Sequence, residues 1–243
     1  MFYVYNGIAQ LLLRLGLAEL RSVEGTDQQY AAFGSTWSFV LYLVLIVLFC
    51  VVIPYLLCSV AVPRTYCRLI HKLPDSKRIE IGDVWRYVGK KHAVSVTAIK
   101  VIVCYVCIQI GGLALSSEGA AIAAFFCVLG CAMPIWHKTR GSRGFEAAAI
   151  CTLILSPLVF GVLLLIYLIV LIGMRYATAA RIFPTLLYPL IASAFMMDTN
   201  PTMVLLSVVV VALMFFTHWS NIKAMLNREE PRLTFGKRKS EDA

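Results

Sequence analysis

The sequence lacks the share of charged side chains that a soluble domain carries. Only 14% of its 243 residues are charged, 60% are hydrophobic, and the mean hydropathy is +0.81; a soluble domain is about 25% charged. It also lacks internal repeats and low-complexity linkers. The N-terminus has no basic segment followed by a small-residue cleavage site, so we expect no cleaved signal peptide. These absences argue against a soluble globular protein and favour one membrane domain.

Long apolar runs predict an all-α fold, a polytopic bundle of about seven transmembrane helices. About 20 residues are needed to cross a bilayer. Ser156-Pro157 interrupts one run and should divide it into two short helices, the fourth and fifth spans. The runs are residues 37–62, 93–115, 120–136, 147–174 (divided), 178–197 and 203–216.

The basic residues behind the net charge of +9 lie in alternate connections. They follow the first, third and fifth spans and fill the tail, whereas the other connections carry only Glu118 and Asp198. The positive-inside rule therefore predicts a multi-pass protein of the cell membrane whose basic loops and C-terminus are cytoplasmic. Membrane lipids with anionic headgroups give these charges a further partner. No fold pattern for base reading is present, so we expect no nucleic-acid partner.

The first 36 residues form a separate extension in the predicted domain organisation. We expect residues 37–222 to form the transmembrane domain and residues 223–243 a basic cytoplasmic tail. The extension should be an amphipathic, interfacial helix, although it could also pack on the bundle or contact a protein partner. A full extra span would place Arg14 in hydrocarbon. The apolar side chains at helical spacing are Ile8, Leu11, Leu12, Leu15 and Ala18.

A basic, proline-containing turn at residues 130–144 has the composition of a phosphate site. Gly141-Ser142 and Gly144 let the backbone approach a ligand closely, and exposed N–H groups before a helix suit an anion. Arg140 and Arg143 add side chains that can hold phosphate in bidentate fashion. An ordinary basic loop is the alternative interpretation.

Several segments resemble the bacterial acyl-phosphate:glycerol-3-phosphate acyltransferase (PlsY) family. Residues 129–134 and 140–144 read Leu-Gly-Cys-Ala-Met-Pro and Arg-Gly-Ser-Arg-Gly, similar to the family's Leu-Gly-His-x-Phe-Pro and Lys-Gly-Gly-Lys-Gly. Residues 55–59 resemble its Tyr-Leu-Leu-Gly-Ser, residues 175–178 its Arg-Tyr-x-Ser, and residues 218–223 its His-x-x-Asn-Ile-Lys. The order and spacing of these motifs make the resemblance specific over residues 50–235.

The resemblance implies an integral membrane acyltransferase of phospholipid synthesis that uses no cofactor or metal. Its reaction transfers the acyl group of an acyl phosphate to the 1-hydroxyl of glycerol 3-phosphate, or of a related phosphorylated acceptor, and forms lysophosphatidate. Lys100 is a pocket candidate for a different reason, because a charge within an apolar span is costly unless it lines a polar cavity. The predicted site comprises catalytic His218, Cys131 and Ser59, phosphate-binding Arg140, Gly141, Ser142, Arg143, Gly144 and Arg86, and pocket residues Thr178, Asn221 and Lys100.

Two departures from the family pattern leave alternatives open. Cys131 stands where the family has a histidine, and residues 75–83 replace its glycine-rich loop. An alternative is therefore a catalytically inactive relative that serves as a subunit or regulator of a membrane complex, with the N-terminal helix as its contact. A small transporter or channel is a third possibility, supported by Lys100 and the apolar composition.

Eight cysteines are present, and the predicted spans contain Cys50, Cys58, Cys104, Cys107, Cys127 and Cys151 in addition to Cys131. Cysteine in such a position commonly packs as a small hydrophobe. Cys104-x-x-Cys107 has no nearby histidine in sequence, so a packing role is favoured over a metal site. Cys67 lies in a cytoplasmic loop and should be reduced there.

Overall fold

The computed structural model describes residues 7–16, 18–22, 29–33, 36–60, 62–69, 84–85, 88–135, 144–198 and 200–227. A π-helical turn, Leu48–Val52, joins the second and third helices, where Pro54 removes a backbone donor from the helical ladder. The elements are α1 (Gly7–Arg14), β1 (Ala18–Ser22), β2 (Gln29–Phe33), α2 (Thr36–Val47), α3 (Ile53–Ser59), α4 (Val62–Leu69), α5 (Lys90–Ala132), α6 (Phe145–Leu155), α7 (Pro157–Met174), α8 (Ala177–Met196) and α9 (Pro201–Leu226).

Helix α5 is a hairpin of two antiparallel arms. Leu115 (φ −138°, ψ 30°) and Ser116 (φ 57°, ψ −142°) leave helical geometry. The Sγ atoms of Cys107 and Cys127 lie within 4.8 Å of each other, although a straight helix would separate these residues by about 30 Å. Arms 90–114 and 117–132 are therefore two membrane segments, which confirms the predicted second and third spans.

Glycines allow the two arms to meet closely near their turn. A Cβ on Gly111 would lie 2.5 Å from the Gly119 carbonyl oxygen and 2.5 Å from the Ala123 Cβ. Small residues commonly permit such backbone approach between membrane helices.

Gly111→Ala should separate the arms and destabilise the protein by about 1–3 kcal/mol, the usual cost of overpacking. Gly112→Ala is the matched control, because its Cβ would meet only the Ala120 Cβ, at an ordinary 3.8 Å. Both changes replace glycine by alanine within a helix, so they alter helix propensity equally. Thermal unfolding in detergent measures the difference in stability between the two variants. Equal midpoints for the two variants would show that the arms do not pack in this way.

Helices α6 and α7 form a second hairpin, divided at Ser156 as predicted. Ser156 has extended backbone angles (φ −151°, ψ 98°), its Oγ accepts from the Val159 amide at 3.4 Å, and Pro157 begins α7. The rings of Phe145 and Tyr167, equally distant in sequence from Ser156, have centroids 6.0 Å apart. With 11 residues, α6 extends about 16 Å and reaches only partway across a bilayer.

Five described helical stretches are long and apolar enough to cross a membrane. Since α5 supplies two arms and α6 adds one short segment, the described chain contains the seven membrane segments that were predicted. The expectation of a short fifth segment was wrong, because α7 has 18 residues and is itself a candidate span. Proline at position 157 starts a helix as readily as it interrupts one.

Residues 7–14 form a short helix, and residues 18–22 and 29–33 form two paired antiparallel strands, instead of the longer helix that the apolar spacing predicted. The helix ends where Gly16 adopts a φ of 70° and its amide donates to the Leu13 carbonyl at 3.1 Å. Glycine with positive φ commonly terminates a helix. Ala18, which was assigned to the apolar helix face, instead lies in β1 opposite Phe33 of β2.

The bundle has two distinguishable ends. At one end, Gly7 of α1 contacts the Leu113 carbonyl, and Asn200 donates from Nδ2 to the Ser117 carbonyl at 3.0 Å. The opposite end, here called the motif end, is where α3 and α5 finish and α6 begins. The candidate site is built there.

Candidate active site

The first and second motif segments are joined at the motif end by a close helix crossing. A Cβ on Gly130 would lie 2.5 Å from the Tyr55 carbonyl oxygen and 3.1 Å from the Ser59 amide nitrogen. The Tyr55 hydroxyl donates to the Met133 carbonyl at 2.8 Å, and the Ile135 amide donates to Ser59 Oγ at 2.8 Å. Glycine at position 130 is therefore required by the crossing, and polar contacts fix the chain that leaves α5.

Ser59 and Cys131, two predicted catalytic residues, are buried between these segments. Ser59 is fully buried and Cys131 is 9% exposed. The Cys131 thiol donates to the Cys58 carbonyl at 3.5 Å. Their catalytic roles stay predictions, but the contacts already give both side chains a part in holding α3 against α5.

The predicted phosphate segment ends in a glycine whose backbone geometry and close neighbours disfavour other residues. Gly144 has a φ of 81°, and a Cβ there would lie 3.2 Å from the Ala132 Cβ and 3.3 Å from Met214 Cε. Its carbonyl accepts from the Ala148 amide at 2.9 Å, which begins α6. Gly144 therefore anchors the end of the predicted phosphate segment against α5 and α9. Arg86, Arg140, Gly141, Ser142 and Arg143 lie outside the described residues.

Lys100 forms an ion pair with Glu146, which lies two residues after Gly144. The Lys100 Nζ to Glu146 Oε2 distance is 2.8 Å, and the side chains are 4% and 25% exposed. A charge this deep in an apolar arm needs a partner. The pair joins the first arm of α5 to the start of α6. Sequence reasoning selected Lys100 but missed Glu146. The feature that could have identified Glu146 is an acidic side chain at the start of an apolar run.

His218 of α9 lies one helical turn after Met214, the residue that packs against Gly144. His218 is 3% exposed, and its Nδ1 lies 3.1 Å from the Met214 carbonyl oxygen and 3.2 Å from Thr217 Oγ1. Met214 is also the neighbour of Gly144. The closing motif is thereby brought to the second motif. Asn221 lies in the last turns of α9, and its side chain is outside the described residues.

A small cleft beside His218 contains a cation that sequence reasoning missed. The cleft, with an interior volume of about 10 Å³, is lined by Arg181, Thr185 and His218 among others. Arg181 follows the predicted pocket residue Thr178, which is buried near the start of α8. A charged residue within an apolar span was the available signal, the same one that selected Lys100.

A larger apolar groove lies between α6, α7 and α8 next to the ion pair. Its interior volume is about 300 Å³, and Thr185 lines both this groove and the cleft beside His218. Glu146 and Phe145 lie where the groove meets the motif end. The lining includes apolar Phe160, Leu163, Leu164, Tyr167 and Val210 and polar Thr152 and Tyr188.

The family model described as glycerol-3-phosphate acyltransferase matches residues 32–228. The chain belongs to this family. A glycerol-3-phosphate acyltransferase of Thermoanaerobacter sp. (strain X514) is 28% identical over 151 residues, which cover 62% of this chain and 75% of that protein. Those of Geobacillus kaustophilus (strain HTA426) and Neisseria meningitidis serogroup B (strain ATCC BAA-335 / MC58) are 30% identical over 118 residues and 29% over 151 residues, covering 48% and 60% of this chain and 59% and 74% of theirs.

Solved structures share the fold of this family member. Two crystal structures of PlsY, an integral membrane glycerol 3-phosphate acyltransferase, align at 22% identity and cover 79% of this chain. The lysophosphatidic acid form has a TM-score of 0.68 over 95% of its length, and the glycerol 3-phosphate form 0.66 over 96%. The predicted fold class, the resemblance to this family and the interpretation as a PlsY-like membrane acyltransferase are confirmed. The family match begins at residue 32, so α1 and most of the β-hairpin lie outside it.

Proposed function

We propose that this chain transfers an acyl group from an acyl phosphate to the 1-hydroxyl of glycerol 3-phosphate. The hydroxyl oxygen attacks the acyl carbonyl carbon and a new C–O bond forms. The bond between that carbon and the phosphate oxygen breaks, inorganic phosphate leaves, and lysophosphatidate is the product. The hydroxyl proton must pass to a base, for which His218 is the candidate.

The observation that carries this proposal is the meeting of three motifs at one end of the bundle. Gly130 joins the second motif to α3, and Gly144 joins the phosphate segment to Met214, one turn before His218. Phosphate binding by Arg140, Arg143, Arg86 and the backbone of Gly141, Ser142 and Gly144 would thus lie near a candidate base. Thr178, Asn221 and Lys100 would shape the same site.

The groove between α6, α7 and α8 supports the acyl half of the proposal. An activated acyl group needs an apolar channel that reaches the polar site, and this groove runs from Glu146 along the lipid-facing helix α7. Leu164 lines it and is 42% exposed, which suits a chain entering from the bilayer. We propose that the motif end faces the cytoplasm of the cell membrane, because the basic loops lie there.

Leu164→Trp should narrow the groove and lower turnover of long-chain acyl phosphates more than that of short-chain ones. A misplaced reacting centre costs turnover even when the change is remote from the chemistry. Leu165→Trp is the matched control, since Leu165 lies next in the same helix, is 60% exposed and does not line the groove.

The test is transfer of labelled acyl phosphates of increasing length to glycerol 3-phosphate by the protein in lipid. We expect lysophosphatidate from the wild type, with a shortened chain-length optimum for Leu164→Trp alone. The same optimum in all three proteins would exclude this groove as the acyl site. Absence of product from the wild type with every donor would exclude the proposed reaction.

A further inference from the structure

Six buried cysteines meet in the middle of the bundle, although they are far apart in sequence. They come from α3, both arms of α5, and α6, and each is at most 9% exposed. All six belong to one buried core cluster, and the Cys131 thiol donates to the Cys58 carbonyl at 3.5 Å. This group is called the thiol cluster: Cys58, Cys104, Cys107, Cys127, Cys131 and Cys151.

Three of these thiols are close enough to share one ion. The Sγ atoms of Cys58, Cys107 and Cys127 all lie within 4.8 Å of one another. Three ligand sulfurs placed trigonally around a metal at about 2.3 Å are separated by about 4.0 Å. Side-chain adjustments of about 1 Å would therefore complete a three-sulfur site, well within the freedom of a cysteine rotamer.

We propose that Cys58, Cys107 and Cys127 form a binding site for Cu(I). Soft thiolates select Cu(I), zinc or iron–sulfur clusters rather than harder cations. A structural zinc site almost always uses four ligands in a tetrahedron, whereas the closest set here has three. Each cysteine that binds as a thiolate releases its proton to water, and no oxidation or reduction is involved.

The surroundings of the triad also suit a soft cation. Cys131 lies one helical turn after Cys127 toward the motif end and contacts the Cys58 carbonyl, so it offers a ligand on the path to the triad. Packing alone does not require cysteine at these positions, since alanine or valine would fill a similar volume.

Cu(I) binding by the full chain, kept reduced and anaerobic in detergent, tests the proposal. Cu(I) is titrated against a chromogenic Cu(I) chelator, and we expect the wild type to retain about one ion per chain. Cys107→Ala and Cys127→Ala should lower retention at least about tenfold, because each removes a ligand from the triad. Cys50→Ala is the matched control: Cys50 is equally buried but contacts the Gly111 carbonyl in a separate core cluster, and this variant should bind like the wild type.

No retention by the wild type, or equal retention by Cys107→Ala, would overturn the proposal. X-ray absorption on the wild type keeps the test independent of whether the variants fold. We expect a first shell of about three sulfurs at about 2.3 Å. A shell of nitrogen or oxygen would mean adventitious surface binding, and preferential retention of Zn(II) with four sulfurs would overturn the assignment to Cu(I). These measurements do not depend on acyl transfer, so failure here leaves the proposed function untouched.

Discussion

Lys100→Met should be strongly destabilising, by about 3 kcal/mol, and should also impair acyl transfer. The change leaves the Glu146 carboxylate without the cation that lies 2.8 Å away. Breaking a buried ion pair by removing one partner costs about 3–5 kcal/mol, and the lower value is expected because Glu146 is 25% exposed. Activity should fall because Glu146 lies in the first turn of the helix that follows Gly144. Thermal unfolding and turnover in the same detergent measure both effects.

Two further variants separate the ion pair from a simple loss of charge. Lys100→Met/Glu146→Leu removes both partners and should recover most of the lost stability, since an apolar pair of similar volume is tolerated in place of a buried ion pair. Lys91→Met removes an exposed cation from the start of the same arm and should change stability little. Wild-type stability for Lys100→Met alone would contradict the pairing.

Arg140→Ala/Arg143→Ala should lower kcat/KM by about 10²–10⁴-fold if these residues hold a substrate phosphate. Each charge-assisted hydrogen bond contributes about 1.5–3 kcal/mol, so two lost contacts weaken transition-state binding by about 3–6 kcal/mol. Steady-state kinetics with varied glycerol 3-phosphate gives the value directly. Stability should change little, because both residues belong to a connection that the charge pattern predicts to be cytoplasmic.

The matched control for this pair removes the same charge elsewhere. Arg232→Ala/Lys237→Ala changes the predicted basic tail by two charges and should leave kcat/KM within about threefold, because neither residue belongs to the predicted site and long-range charge effects are screened by salt. Arg143→Lys should be intermediate, since lysine keeps the charge and loses the bidentate geometry. Unchanged kcat/KM in Arg140→Ala/Arg143→Ala would show that these two residues do not bind a substrate phosphate.

The sequence predicted those features that depend on local chemistry. Apolar runs of sufficient length predicted the membrane segments, and Ser156-Pro157 predicted the break between α6 and α7. Gly144 was selected as a position where the backbone needs freedom, and its positive φ agrees. The motif spacing predicted the family, because short motifs in a fixed order can be recognised in a sequence without knowing how the helices pack.

Features that depend on long-range packing could not be predicted in the same way. The Lys100–Glu146 pair joins residues 46 positions apart, and the thiol cluster combines cysteines from four helical segments. Nothing in the periodicity of one helix shows which side chains face another. The N-terminal hairpin was missed for a local reason: apolar residues at helical spacing continued past Gly16, where a glycine ends the helix.

The central claim is that this family member catalyses acyl transfer, and formation of lysophosphatidate tests it most directly. Purified protein in lipid is given labelled acyl phosphate and glycerol 3-phosphate, with Arg143→Ala alongside and product separated by chromatography. We predict labelled lysophosphatidate from the wild type, dependent on both substrates, and a large loss of it in Arg143→Ala. No product from folded wild-type protein would contradict the account and would favour a noncatalytic subunit of a membrane complex.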